Sequence, residues 1–190
     1  MTRRAGLTRA QVVAVAAELA DTHGLEQVTL AQVAAQVGVR LPSLYNHVDG
    51  LPGLRRELTF LGLQRFGEAI SRAAIGKAGD DAVLAVAQAY RRFVREHPGI
   101  YAAIVQAPAP GDQALEQASR TVVEVVLAVL APYGLEDQAA IHAVRGLRSL
   151  VHGFATLEAA GGFGLPLDRD ASFLWLLHAY LVGLRGANRA

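Results

Sequence analysis

Several residue types are missing or rare in this chain, and each absence removes a class of structure. There is no cysteine, so disulfides and thiolate metal sites are excluded, and the reducing cytoplasm is the location we expect. Lys77 is the only lysine and the net charge is +1, so a surface that binds nucleic acid must be local. The most apolar late run, residues 173–184, is too short to span a bilayer and contains His178, so we expect no membrane partner.

Motifs for catalysis, metal binding and cofactor binding are also lacking. His142 and His152 have no histidine or acid at the four-residue spacing that builds a metal site on a helix. The glycines at 161, 162 and 164 lack the strand and helix that flank a phosphate-binding loop. We therefore predict no catalytic residue, no metal site and no cofactor, which leaves a helical enzyme as a weak alternative.

Apolar residues make up 52% of the chain and recur at spacings of three and four, whereas sustained alternation is absent. This periodicity predicts an all-α protein of about nine helices. We expect two domains, a small one over residues 1–50 and a larger helical one over residues 51–190. The predicted helices cover about 8–23, 30–37, 41–47, 51–74, 80–96, 100–106, 112–131, 136–160 and 170–186.

Residues 29–48, TLAQVAAQVGVRLPSLYNHV, have the features of a helix-turn-helix. Thr29 and Gln32 form a capping-box pattern that predicts the start of a short helix. The small residues Ala34 and Ala35 allow a second helix to approach closely, and Gly38 permits the backbone to turn with positive φ. A second short helix follows, with Pro42 tolerated in its first turn.

The second helix presents side chains suited to DNA. Arginine and asparagine can read guanine and adenine edges in the major groove, while serine, tyrosine, histidine and a helix N-terminus suit phosphates. Spacing alone leaves DNA binding and an ordinary helix pair equally open. The predicted DNA-binding residues are Arg3, Arg4, Thr29, Arg40, Leu41, Pro42, Ser43, Tyr45, Asn46, His47 and Arg55.

This stretch resembles the N-terminal domain of the tetracycline-repressor (TetR) family. The likeness lies in the threonine cap, the alanine pair, Gly38-Val39 and the run Leu44-Tyr45-Asn46-His47-Val48. It implies a homodimeric transcriptional regulator, usually a repressor released from double-stranded operator DNA by a small ligand. It also implies phosphate contacts for Tyr45 and His47.

Three positions depart from the family pattern. Arg40 replaces the usual serine cap, and Val48 replaces the usual phenylalanine. The basic residue common at the start of the fourth helix is missing from residues 49–53, so we look to Arg55 or Arg56 for that phosphate contact. Residues 150–166 resemble a C-terminal domain type named for a Trp-His-Gly motif, with Val151 in the place of the tryptophan.

The C-terminal two-thirds carry wide apolar stripes on two late helices, typical of a four-helix dimer interface or of an intramolecular core. The predicted interface residues are Leu147, Leu150, Val151, Phe154, Phe173, Leu177, Leu181 and Leu184. Aromatic residues with a few polar groups also suit a pocket for a small-molecule effector, although packing alone explains such residues equally well. The predicted pocket residues are Phe60, Gln64, Tyr90, Phe93, Tyr101, Gln106, Arg145, His152, Phe154 and Glu158.

We expect the effector to tilt the helix 51–74 and thereby move the recognition helices out of register with the DNA grooves. The main alternative is a helical ligand-binding or adaptor protein with a decayed helix-turn-helix that binds no specific DNA.

Overall fold

The computed structural model describes residues 6–187, so the predicted DNA contacts Arg3 and Arg4 lie outside the described residues. Within this range the chain is all-α, as predicted, with two short 3₁₀ turns at Leu25–Gln27 and Ala131–Tyr133. Its nine described helices are α1 Arg9–His23, α2 Leu30–Val37, α3 Leu41–Leu44, α4 Gly50–Ala74, α5 Gly79–Glu96, α6 Pro98–Ile104, α7 Gln113–Leu130, α8 Asp137–Ala159 and α9 Arg169–Ala187.

The chain divides into two compact units. The first unit comprises Met1–Gln64 and Glu96–Glu116, and the second comprises Arg65–Arg95 and Gln117–Ala190. The first unit therefore adds the start of α4 and the whole of α6 to the region predicted as residues 1–50. Helices α4 and α7 contribute to both units.

Capping boxes start both α1 and α2, and the one at Thr29 confirms the pattern described above. The amide of Gln11 donates to Thr8 Oγ1 at 3.2 Å, and the Gln11 side chain accepts from the Thr8 amide at 2.9 Å. Thr29 and Gln32 repeat this arrangement at 3.3 and 2.9 Å. Each box satisfies amides that a helix N-terminus leaves without intrahelical partners.

Helix α6 is held within the first unit by a carboxylate and a close approach. Asp21 of α1 accepts the amide hydrogen of Ile100 at 2.8 Å, and its other oxygen lies 3.0 Å from Nδ1 of His97. On α4, Gly62 leaves so little room that a Cβ there would lie 2.7 Å from the Ile104 side chain. Ile100 is itself fully buried, so α6 is part of the core of this unit.

A buried arginine lies in the core of the second unit. Arg91 donates to both oxygens of Glu158, at 2.8 and 2.5 Å, and to Asp170 at 2.8 Å. Its guanidinium also lies over the rings of Phe154 and Phe173, 5.1 and 4.8 Å from their centroids. The hydrogen bonds from Arg91 lower the pKa of Glu158 below its ordinary value. The arrangement satisfies a charge that burial alone would make costly.

No single helix between residues 6 and 187 is both long and apolar enough to cross a membrane. The segments Gln113–Tyr133 and Asp137–Ala159 reach that length and composition only as a pair, with a bend of 113° between them.

Candidate nucleic-acid interface

The turn between α2 and α3 is built around Gly38. Its φ of 73° lies in the left-handed region. Its amide donates hydrogen bonds to the carbonyls of Ala34 and Ala35 in α2. The amide of Val39 also donates to the Ala34 carbonyl, at 3.0 Å. These bonds satisfy the last carbonyls of α2 and set the direction in which the chain enters α3.

We call residues 41–48 the recognition segment. Leu44 and Val48 fix it to the first unit, because both side chains are buried in its core. Val33 and Ala34 of α2 are buried too, so the two short helices share one apolar face. This is the packing that a helix-turn-helix requires of its two helices.

Helix α3 is shorter than the sequence predicts. The expected end at residue 47 is wrong, because regular helix stops at Leu44. The chain continues as a tightened turn in which the amide of His47 donates to the Leu44 carbonyl at 2.8 Å. Arg40 precedes α3 without a side-chain cap, and Pro42 has no amide hydrogen to donate, so the start of the segment has no side-chain hydrogen bond at its cap.

Most of the predicted DNA contacts between residues 29 and 47 are exposed, and their contact with DNA stays a prediction. Leu41 and Tyr45 are 39% and 57% exposed, and Pro42 and Asn46 are exposed as well. Arg40 and Thr29 are also exposed, whereas Ser43 and His47 are half-buried. Cationic, amide and aromatic side chains are thus accessible within residues 40–46.

Arg40 differs from the other arginines of this surface. Within residues 6–187 it forms no ion pair, whereas Arg9, Arg55 and Arg56 each lie near a carboxylate. A guanidinium just before the recognition segment, exposed and without an ion pair in residues 6–187, is free to donate hydrogen bonds to a base edge or a phosphate.

Arg55 and Arg56 are not the free cations that the sequence suggested. An Nη atom of Arg55 lies 2.7 Å from the Glu26 carboxylate, so a phosphate contact by Arg55 has to compete with Glu26. Arg56 makes two hydrogen bonds to Asp112, at 2.6 and 2.9 Å. This hydrogen bonding raises the pKa of Arg56 and lowers that of Asp112. Both acidic partners are distant in sequence, which is why residue spacing did not identify them.

The predicted pocket residues fall in both units. In the first unit Tyr101 is buried, Phe60 is half-buried, and Gln64 and Gln106 are exposed. The role of these four residues in a pocket stays a prediction.

In the second unit Tyr90, Phe93 and Phe154 are buried, His152 is half-buried and Arg145 is exposed. Both carboxylate oxygens of Glu158 accept hydrogen bonds from Arg91, so an effector would have to share Glu158 with Arg91, and the place of Glu158 in a pocket stays a prediction. The sequence contained no signal for Arg91 itself, since one arginine among many does not show which one is buried.

The predicted dimer residues are mostly interior to one chain. Leu150 is half-buried, and the core of the second unit covers the other seven, which corrects their assignment to a partner-facing surface. Exposed apolar residues remain on the same two helices, among them Trp175 at 73% and Val182 at 65% on α9. The apolar stripes on α8 and α9 therefore serve mainly to pack these helices within the chain.

A short helix pair joined by a left-handed glycine, with a basic and aromatic outer surface, defines a helix-turn-helix DNA-binding protein. A family model described as the tetracyclin repressor-like C-terminal domain matches residues 83–180. This chain belongs to the TetR family of transcriptional regulators, and it is a DNA-binding regulator rather than an enzyme.

Comparison with known proteins extends this likeness over nearly the whole chain. An uncharacterized HTH-type transcriptional regulator of Bacillus subtilis, YobS, is 39% identical over 186 residues, which cover 97% of this chain and 96% of YobS. A protein of unknown function from Rhodococcus sp. RHA1 has the same fold, with a TM-score of 0.82, 22% identity, and coverage of 97% and 99% of the two chains.

The Streptomyces coelicolor TetR family protein ActR, solved in complex with (S)-DNPA, also shares the fold. Its TM-score is 0.67 at 20% identity, with 96% of this chain and 99% of that chain covered.

Proposed function

We propose that the chain is a homodimeric repressor that binds a palindromic operator and leaves it when a small molecule binds. The observation that carries this proposal is the recognition segment, which is fixed by Leu44 and Val48 and presents Arg40, Tyr45 and Asn46 outward. Buried anchors hold the segment in one conformation, so its outward side chains meet a groove in a fixed arrangement. The family description, tetracyclin repressor-like, supports repression over activation.

The outward groups divide by chemistry into two roles. Arg40 and Asn46 are suited to base edges, because a guanidinium bonds guanine and a carboxamide bonds adenine through paired hydrogen bonds. Thr29, Ser43, Tyr45 and His47 are suited to phosphates, whose contacts set the position of the protein on the duplex. Arg40 occupies the N-cap position of α3 but does not cap the helix. Its role in the proposal is instead to help select the DNA sequence.

A dimer follows from the geometry of operator recognition. A single four-residue helix reads few base pairs, whereas two related copies read two half-sites about 34–36 Å apart on one face of the duplex. The exposed apolar side chains of α8 and α9, including Leu157, Trp175 and Val182, supply a surface for a self-complementary contact. These residues replace the buried ones that the sequence suggested.

Release by an effector is the third part of the proposal. ActR was solved with a bound small molecule, and it shares this fold. Helix α4 contributes residues to both units, so a ligand that prefers one conformation of α4 changes the population that can bind DNA. The effector then lowers operator affinity and leaves the dimer intact. The relative YobS comes from a bacterium, and the chromosome of a bacterium lies in the cytoplasm. We therefore propose that the chain acts in the cytoplasm.

Selection from a library of random duplexes by the purified full-length chain tests the proposal. We expect an enriched sequence with twofold symmetry, bound with an affinity that falls steeply as salt rises because phosphate contacts release counterions. An absence of enrichment, with weak binding that is insensitive to salt, would instead favour an adaptor with a decayed helix-turn-helix.

A further inference from the structure

Arg9 links the first turn of α1 to the end of the recognition segment. Its Nε donates a hydrogen bond to the backbone carbonyl of His47 at 2.9 Å, across 38 positions of sequence. An Nη atom of the same guanidinium lies 3.6 Å from the Glu57 carboxylate on α4. The Arg9 side chain therefore touches two elements that hold the DNA-facing surface, although it is itself 63% exposed.

The contact continues into a chain of alternating charges within the first unit. Glu57 also lies 3.5 Å from an Nη atom of Arg56. Arg56 in turn makes its two hydrogen bonds to Asp112. Asp112 precedes α7 and accepts a hydrogen bond from the Leu115 amide at 3.2 Å. Glu57 thus lies near the guanidinium groups of two arginines, Arg9 and Arg56.

The buried side chain of Val48 and the bonds from the amides of His47 and Val48 to the Leu44 carbonyl hold the C-terminal end of the recognition segment, and Arg9 adds a side-chain contact to it. Helix α3 has four residues and no side-chain cap at Arg40. His47 lies three residues beyond the end of α3, and its carbonyl accepts the hydrogen bond from Arg9 Nε. Arg9 thereby gives the end of the recognition segment a side-chain hydrogen bond to α1.

We propose that Arg9 is a positioning residue for DNA recognition: it orients the recognition segment through the His47 carbonyl, with Glu57 holding it in place, and it is not a phosphate contact. This inference rests on the proposed DNA-binding function. It assigns a part in operator choice to Glu57, an acidic residue whose charge by itself opposes DNA binding.

The test measures binding to two duplexes, the one selected by the wild-type chain and a scrambled duplex of the same composition. Arg9→Ala removes the contact, and Arg9→Lys keeps the charge but loses the Nε–H group. Glu57→Gln removes the partner charge. Glu18→Gln is the matched control, because Glu18 is an exposed acid on α1 for which residues 6–187 offer no ion pair.

If Arg9 positions the segment, Arg9→Ala and Arg9→Lys both lower affinity for the selected duplex about fivefold or more, while the scrambled duplex changes little. Glu57→Gln also weakens the selected complex, although it removes a negative charge. The salt dependence of binding stays close to that of wild type, and Glu18→Gln binds as well as wild type or slightly better.

A phosphate contact would give different results. Arg9→Lys would bind normally, and Arg9→Ala would weaken both duplexes equally and reduce the salt slope by about one. That outcome overturns the proposal, as does normal binding by all three variants.

A measurement without DNA separates this inference from the function on which it rests. Hydrogen exchange of the backbone amides in residues 41–48 should be faster in Arg9→Ala than in wild type, while the thermal midpoint changes little. Unchanged exchange would refute the positioning role even if no operator is found. Failure of the wild-type chain to select any duplex would refute the DNA-binding proposal alone.

Discussion

Gly99 of α6 lies directly against the backbone of Ala20 in α1: a Cβ built on Gly99 would be 2.1 Å from both the carbonyl carbon and the carbonyl oxygen of Ala20. The obstacle is helix backbone, which cannot rotate away as a side chain does. The contact therefore demands glycine at this position, and it brings α6 close enough for Asp21 to accept the Ile100 amide.

Gly99→Ala should lower the free energy of unfolding by about 3 kcal/mol, because the added methyl group forces the two helices apart. Urea denaturation followed by circular dichroism measures the loss. Gly153→Ala is the control, since no atom lies within 4 Å of a Cβ at this helical glycine. That variant should be as stable as wild type or slightly more stable. Equal stability of the two variants would contradict the close contact.

Gly38→Ala tests the turn between α2 and α3. Gly38 has a φ of 73°, so a side chain there should cost about 1 kcal/mol of stability. Gly38→Asn should cost less, because asparagine tolerates the left-handed conformation better than alanine does. Thermal unfolding of the two variants shows which is the more stable. An alanine variant more stable than the asparagine variant would argue against this turn geometry.

The pairing of Arg91 with Glu158 predicts a dependence of stability on pH. Hydrogen bonds from Arg91 hold the pKa of Glu158 below its ordinary 4.5. The folded state therefore binds this proton more weakly than the unfolded state does. The stabilisation is complete above that ordinary value and is lost as pH falls through the lower folded pKa.

Glu158→Gln should lower the unfolding free energy at neutral pH by about 3 kcal/mol, because the buried Arg91 loses its principal partner. Its stability should also fall less steeply than that of wild type below about pH 5. Denaturation curves at several pH values make the comparison. A variant with the wild-type slope would show that Glu158 does not contribute to the acid response.

Trp175→Glu and Val182→Glu test the proposed dimer surface. Each places a charge on the exposed apolar face of α9, so each should shift the chain from dimer to monomer in sedimentation velocity. Leu165→Glu is the control, because Leu165 is equally exposed but lies in the connection between α8 and α9. Dimers that survive both α9 substitutions would place the contact elsewhere.

Arg40→Ala tests base reading. If Arg40 bonds a guanine, the substitution should cost about 1–3 kcal/mol on the selected duplex and relax the sequence preference at one position. Arg92→Ala, which removes an exposed arginine from α5, should leave binding unchanged. Equal losses by Arg40→Ala on selected and scrambled duplexes would mean that Arg40 contacts only a phosphate.

Local signals account for the parts of this structure that the sequence predicts well. The capping boxes at Thr8 and Thr29 and the turn at Gly38 involve groups within a few residues of one another, so spacing alone reveals them. The exposure of Arg40, Tyr45 and Asn46 was also predictable, whereas Ser43 and His47 are half-buried because the chain leaves regular helix after Leu44.

Long-range pairings could not be predicted in this way. Glu26 and Arg55 are 29 residues apart, and Arg91 and Glu158 are 67 apart. The chain has 17 acidic residues, and the backbone path decides which of them meets a given arginine. Apolar stripes carry a similar ambiguity. They show that one face of α8 or α9 is covered, but not whether the covering side chains belong to the same chain or to a second one.

The recognition segment holds its place in the core through Leu44 and Val48, while Arg40, Leu41, Pro42, Tyr45 and Asn46 lie outside the core. Substitution of these outer residues should therefore leave the packing of the first unit intact. On the proposed function, mutation at these positions can alter the DNA target step by step without a loss of folding. The same separation makes these five positions the natural choice for engineering a variant with a new operator, provided that the two anchors are kept.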